Sequence, residues 1–272
     1  MNQMFSRILK VLSTLIVAGL LSACGSSSTV DPFKPKRVIG LGDGFNDSTR
    51  AIAPTVADQL ATNFGLGLGS VVNLGDSANG SISDLSRQIG LVTGGFTADD
   101  LVVISVGTID VQNAANPANP TAISQVPELV RQIQWLLNHN VKHVLVMPIL
   151  DVSRTPWGAT NTFEQGSAAA TNSSGLFNSE VLSQLADNFN GDVPNKVIYA
   201  NSGTSPISSQ FLSMSAPVPV WISPFNCFNR TTCTNGATAA TSLFDTSDTY
   251  LTSVGNKWVG NHLYNATSLG WR

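Results

Sequence analysis

Val38-Ile39-Gly40-Leu41-Gly42-Asp43-Gly44-Phe45-Asn46-Asp47 is the stretch whose reading decides the fold. Its first half is apolar and breaks abruptly into a Gly-Asp-Gly turn followed by Phe-Asn-Asp. An apolar strand that feeds a glycine-rich turn and then a helix is how an open α/β sheet begins. The ligand sites of such sheets lie at the carboxyl ends of the strands.

Working outward, the chain after this turn alternates helical and strand patterns. Thr55–Phe64 places Val56, Leu60 and Phe64 on one helical face, and Val71–Leu74 reads as a short second strand. A glycine- and serine-rich turn follows, and Asp84–Ile89 opens another helix. Leu101–Val106 is a continuous apolar run, as expected of a parallel strand covered on both faces. Val126–His139 is a clear amphipathic helix ending at Asn140, Val144–Ile149 the fourth strand, and Lys196–Ala200 the fifth. Gly158–Gly175 reads as a polar insertion, Leu176–Phe189 as a helix, 201–246 as mostly loop, and Val254–Tyr264 as the last helix. Helices between buried parallel strands predict a three-layer α/β/α sandwich with a central parallel sheet.

Upstream, Arg7 and Lys10 precede the apolar run Val11–Leu21, too short for a permanent membrane span and suited to an export signal. The run ends Leu21-Ser22-Ala23-Cys24, which resembles the bacterial lipoprotein signal, in which the cysteine is lipidated and becomes the first residue. An ordinary signal peptide with a chance cysteine is the plainer alternative, and the Gly-Ser-Ser-Ser that follows supplies the tether a lipoprotein needs. The expected organisation is therefore a signal peptide over 1–23, a lipidated cysteine and tether over 24–36, and one domain over 37–272. Gly25 after the cysteine, in place of aspartate, implies outer-membrane sorting, with the domain facing the periplasm or the exterior.

The chain has three cysteines. With Cys24 taken by lipid, Cys227 and Cys233 remain as a pair in a Pro/Asn/Thr-rich segment, and an oxidising compartment favours a local disulfide between them. A zinc site would want further cysteine or histidine nearby. Formal charge is -3 and falls to about -5 without the leader, and no basic cluster stands out, which argues against nucleic acid as a partner. No cofactor is expected.

Four blocks together resemble the SGNH or GDSL hydrolases, a family of esterases and lipases whose nucleophile is the serine of Gly-Asp-Ser. Ile39–Asp47 is similar to the opening block and keeps Gly42, Asp43 and Asp47, but Gly44 stands where the serine belongs. VVNLGDSANGSISDL resembles the second block, whose glycine gives an oxyanion-hole N–H; Gly80 takes that place, with Asn79 as the alternative. Ile104–Asp110 resembles the Gly-x-Asn-Asp block, keeping Gly107 and Asp110 but carrying Ile109 for asparagine. Met147–Pro156 resembles a post-strand segment common in esterase members. Tyr250–Gly255 resembles the last block, Asp-x-x-His, with Tyr250 at the histidine position and Ser247 three residues before it. The resemblance implies an SGNH-hydrolase-like, flavodoxin-like fold.

It also implies that the chemistry is missing. Ser/His/Asp hydrolysis needs a hydroxyl, an imidazole to take its proton and a carboxylate to orient that imidazole. Gly44 has no side chain, Ile109 donates nothing, and a tyrosine phenol titrating near ~10 is a poor base at neutral pH. His139 and His143 belong to the amino-terminal edge of the sheet, and His262 lies three turns into the last helix. Gly75-Asp76-Ser77 spells the family tripeptide, yet it falls on the second strand-turn, so Ser77 is a candidate nucleophile only if the site is rearranged. Asp43, Asp47, Asp76 and Asp110 are expected to tie turns together; a calcium site from them matches no loop spacing. The expected pocket is lined by Asp43, Gly44, Asn79, Gly80, Gly107, Ile109 and Tyr250. Three functions follow: an inactive lipoprotein that binds an acyl, glycan or envelope-protein ligand; a carboxylic-ester hydrolase using Ser77; or a structural surface lipoprotein.

Overall fold

A computed structural model describes residues 33–50, 54–115, 122–152, 155, 157, 168–189, 196–200, 250, 251 and 253–271. The leader, Cys24 and the tether as far as residue 32, and the Cys227–Cys233 pair lie outside these residues, as does most of the segment before Tyr250; the last four residues of the expected tether, 33–36, are described. Phe33–Trp271 forms one compact unit. No helix among the described residues is long and apolar enough to cross a membrane.

In chain order the elements are β1 (Arg37–Gly42), α1 (Val56–Asn63), β2 (Val71–Asn73), α2 (Leu85–Gly90), β3 (Asp100–Ser105), α3 (Thr108–Ala115), α4 (Val126–Asn138), β4 (His143–Met147), α5 (Ala168–Asn188), β5 (Val197–Tyr199) and α6 (Ser253–Gly270). The five strands form one parallel sheet in the order β2-β1-β3-β4-β5. Between β1 and β3 the strand order reverses direction, which opens a crevice outside their carboxyl ends.

Alternation along each strand builds the two cores. Ile39, Leu41, Val102, Ile104, Val144 and Val146 face one cluster with Ile82, Leu85, Leu129, Ile133 and Phe177 from the α2, α4 and α5 side. Val38, Leu101, Val103, Leu145 and Met147 point to the opposite face, packing on Val56, Leu60, Val259 and Leu263 of α1 and α6. Both faces are covered, so the strands read as unbroken apolar runs. The α/β/α sandwich expected from the sequence is the architecture found.

Local signals explain the helix starts. Thr55 and Asp58 form a reciprocal capping box at α1, with Asp58 N–H on Thr55 Oγ1 at 3.1 Å and Thr55 N–H on Asp58 Oδ2 at 2.9 Å. α4 ends where His139 and Asn140 turn the chain, Asn140 taking φ 73°, a left-handed conformation asparagine tolerates.

Three helix boundaries differ from the expectation. α3 has no counterpart in the sequence pattern: it sends only Val111 and Ala114 toward the core, too few to make a visible stripe. α5 begins at Ala168, inside the stretch expected to be a polar insertion, because Ala168–Ala170 are strong helix formers and outweigh the Ser, Asn and Gly that follow. α6 continues past Tyr264 to Gly270.

Candidate functional site at the carboxyl edge

The first strand ends at Gly42 with φ +106°, and its Cα lies against the Ser105 carbonyl of β3. The neighbouring Asp43 N–H bonds that same carbonyl at 2.6 Å. Gln88 of α2 clamps Gly42 from the other side, accepting its N–H at 2.6 Å and donating to its carbonyl at 2.9 Å. Asn46, fully buried, donates to Leu41 O and Ser105 Oγ, each at 3.0 Å, and accepts Ala57 N–H at 3.2 Å. Gln88 and Asn46 carry no motif signature, so only their burial reveals them as the bolts of this turn.

The second turn is zipped onto the first. Asp76 N–H bonds Gly42 O at 2.9 Å, Gly75 N–H bonds Asn46 O at 3.2 Å, and Ser77 N–H bonds Asp47 Oδ2 at 2.9 Å. A side chain on Gly75 would run into the backbone of Asp43 and Asn46. The third turn joins them through Asp110, whose Oδ2 accepts Ile82 N–H at 3.1 Å. Sequence position alone places Gly42–Asp47, Gly75–Gly80 and Gly107–Asp110 at strand ends; the hydrogen bonds make them one surface.

The positions expected to supply oxyanion donors are otherwise engaged. Gly80 N–H bonds Asp76 O at 2.8 Å, and Asn79 N–H bonds Asp76 Oδ1 at 2.9 Å. The Asn79 side-chain amide also turns to Asp76, with Nδ2 on Oδ2 at 3.2 Å. Gly80 owes its identity to packing, since its Cα sits on the Gly42 carbonyl. Gly107, with φ +107°, likewise presses on the Phe177 ring. Ile109 is half-buried in the first turn of α3 and brings no donor.

Tyr250 is buried and its ring lies directly on Gly44. A Cβ on Gly44 would stand 2.6–2.7 Å from three ring carbons, closer than real contacts allow. Phe45 meets the same ring edge-on at 5.4 Å between centroids, and the Arg50 guanidinium lies 4.8 Å above it. An aromatic ring therefore fills the volume that a residue-44 side chain would need. Gly44→Ser should cost about 1–3 kcal/mol through overpacking. Combined with Tyr250→Ala, the two losses should sum to clearly more than the double variant shows, by about 1 kcal/mol or more. A urea-melt double-mutant cycle measures this; additive losses would show that the ring does not occupy that volume.

No imidazole approaches this edge. All three histidines are described: His139 stacks on Trp135 at 3.6 Å and His143 on Phe33 at 3.4 Å. His262 stacks on Trp258 at 5.7 Å, about 14 Å of helix beyond Ser253 at 1.5 Å per residue. Ser77 is half-buried and its hydroxyl faces Asp47, an ionised acid whose cost of burial is outweighed by the Thr49 and Ser77 donors that hold its pKa below the usual range.

The buried acids behave oppositely. Burial pushes Asp43 up to about 7, against the pull of the Thr108 and Ser105 hydroxyls and the Phe45 N–H, with Asp110 adding to the push. Its Oδ1 accepts Phe45 N–H at 3.3 Å, while Oδ2 and the facing Thr108 hydroxyl close no well-formed hydrogen bond. Burial also pushes Asp110 up to about 6, against the Ile82 N–H. Among the described residues no three His, Cys, Asp or Glu side chains are grouped to hold a metal ion.

No protein-family model matches the sequence, and no curated protein is similar to it in sequence. Among solved structures, the acetyl xylan esterase AlAXEase is 18% identical, with TM-score 0.53, over 85% of this chain and 98% of its own. A catalytic mutant of an acetylxylan esterase from Geobacillus stearothermophilus is 14% identical, with TM-score 0.51, over 87% of this chain and 95% of its own. At such identities the likeness is one of fold. With the parallel sheet, the helices on both faces and the motif-bearing turns gathered at one edge, this chain has the SGNH-hydrolase-like, flavodoxin-like fold of those esterases.

Proposed function

We propose that this chain is a non-hydrolytic envelope lipoprotein with an esterase-type fold, which binds a glycan or an envelope protein at the carboxyl edge of its sheet. The observation that carries this reading is the Tyr250 ring seated on Gly44, which puts an aromatic side chain where attack by a residue-44 hydroxyl would need open space. The histidine stacking arrangements and the engagement of Gly80 and Asn79 support it. Uncharged polar groups at the edge, the exposed Ser48, Thr49 and Asn79 and the half-buried Ser77, suit hydroxyl-rich ligands. The two similar esterases are named for acetylated xylan, and the reading keeps a glycan as ligand class while dropping the chemistry.

The deciding measurement is hydrolysis of short and long acyl esters and of acetylated xylooligosaccharides by the parent, Ser77→Ala and Gly44→Ser. Loss of a serine nucleophile costs on the order of 10⁶ in turnover in a well-studied protease, so all three should sit at the buffer background. Gly44→Ser fails for lack of both a base and room. Robust parent turnover abolished by Ser77→Ala would replace this reading with a rearranged esterase.

Anchoring is part of the same reading and rests on the Leu21–Cys24 pattern and the serine tether. Cys24→Ala should leave an unprocessed or soluble species in fractionated cells. A variant processed and membrane-bound like the parent would remove the anchor.

A further inference from the structure

The amino edge of the sheet, opposite the candidate site, has a composition of its own. In a parallel sheet every connection into a strand lies on this edge: Phe33–Lys36 before β1, 64–70 before β2, 91–99 before β3 and 139–142 before β4. Six large apolar side chains are exposed among the described residues, and three belong to this edge. Leu68 (69% exposed) and Leu91 (50%) stand in the connections before β2 and β3, and Trp135 (38%) in the last turn of α4. Leu68 has the greatest exposure of the six; the others, Ile123, Leu176 and Leu182, lie before α4 and along α5. Phe96 meets the Trp135 ring edge-on, and His139 stacks on it. The exposed ammonium groups of Lys34 and Lys142 belong to the same edge, where the acidic Asp99 is already paired with Lys36 at 2.7 Å and the buried Asp100 with Arg37 at 2.6 Å.

The chain also reaches this edge from its amino-terminal side. Phe33 is clasped there by His143 and Trp271, with ring centroids 3.4 and 5.4 Å away. Phe33 follows Cys24 by nine positions, a span of at most about 30 Å when fully extended. A lipid on Cys24 would keep Phe33, and with it this edge, within that distance of the bilayer.

We infer that the amino edge is a membrane-facing surface, in which Leu68, Leu91 and Trp135 dip into the lipid headgroup region and Lys34 and Lys142 meet lipid phosphates. The inference rests on the lipid anchor proposed above. Tryptophan and leucine sharing an edge with lysine are what an interfacial surface needs, because the apolar groups enter the headgroup boundary while ammonium groups stay with phosphate. A short tether then turns a weak surface into a lasting one, since the attachment keeps the local lipid concentration high. The consequence is orientation: the carboxyl edge points away from the membrane that carries the protein and is presented to ligands in solution or on a facing layer.

The test uses the full, lipidated chain extracted from bacterial membranes and reconstituted in phosphatidylethanolamine–phosphatidylglycerol vesicles. A thiol-reactive fluorophore is placed by Leu68→Cys, Leu91→Cys or, at the far edge, Ser77→Cys, with the parent setting the background. Nitroxide-bearing lipids should quench the labels at 68 and 91 several-fold more than the label at 77, and aqueous iodide should show the reverse order. Lys34→Glu with Lys142→Glu should reduce the lipid quenching at 68 and 91 at least two-fold while the protein stays with the vesicles. Equal lipid quenching at all three positions in vesicle-bound protein would overturn the orientation. Labels at 68 and 91 shielded from both quenchers as protein density rises would overturn it too, assigning the edge to a second copy of the chain. Failure of the anchor reads differently, as parent protein that does not remain with the vesicles, and it takes the inference with it.

Discussion

Replacing Gly42 by alanine is expected to cost about 4 kcal/mol or more and to leave little folded protein. Two independent constraints meet at this residue. Its φ of +106° is strained for any side chain, and a Cβ would be driven into the Ser105 carbonyl. That carbonyl cannot retreat, because it accepts Asp43 N–H and belongs to the strand beside β1. Gly42 is in turn fixed by Gln88 on both its N–H and its carbonyl and by Asp76 N–H. Gly65→Ala is the control: φ is +73°, but beyond its own chain neighbours nothing lies within 4 Å of the new methyl. It should cost only about 1–2 kcal/mol, the backbone penalty alone. Equal losses in urea or thermal unfolding would show that the Gly42–Ser105 contact is not the cause.

The second large effect is on pH dependence. Asp43 and Asp110 have folded-state values raised by burial to about 7 and about 6, from an ordinary 3.8. The folded protein then binds more protons than the unfolded chain over this window, so stability falls as pH rises from about 4 through about 7. His143 pulls the other way: burial lowers it to about 4 from 6.5, so its contribution is lost as pH falls from 6.5 toward 4. It is only half-buried, which makes its term the smaller one. At about 1.4 kcal/mol per unit, the net loss between pH 5 and pH 8 is of order 3 kcal/mol. Above pH 6 Asp43 dominates, so Asp43→Asn should flatten the decline between pH 6 and pH 8. Unfolding free energies at half-unit intervals measure it; a parent more stable at pH 8 than at pH 5 would contradict the burial argument. On the acid side Asp47 acts conventionally, its stabilising hydrogen bonds being lost as pH falls below its lowered folded value.

These effects show what the glycines and aspartates of the turns do for the fold. The scaffold glycines and aspartates of the esterase-like turns hold three strand ends together, and that structural role stands whether or not a nucleophile is present. Gly42, Gly75 and Gly80 stay glycine because backbones cross within contact distance; Asp47 and Asp110 accept N–H groups from the second turn and its exit, and Asp76 accepts those of its own turn. Such glycines are legible in the sequence because the backbone crossing itself demands them.

Much of the architecture was legible in the sequence, because burial on both faces writes parallel strands as apolar runs such as Leu101–Val106, and because α4 shows a clear apolar stripe. The sequence by itself also determined which side chains are available: a glycine at 44, an isoleucine at 109, a tyrosine at 250 and three histidines in all. It did not reveal α3, whose core face is two residues wide, or the true start of α5, where alanine propensity competes with loop-like composition. Only the tertiary structure decided what fills the space above Gly44 and where the N–H groups of Gly80 and Asn79 point. It also gathered Leu68, Leu91, Trp135, Lys34 and Lys142 at the edge where the chain enters. The physical reason is range. Periodicity and turn chemistry act between residues close in the chain, whereas a ring from position 250 reaching position 44, or five residues spread over a hundred positions sharing one edge, depends on how the sheet orders its strands.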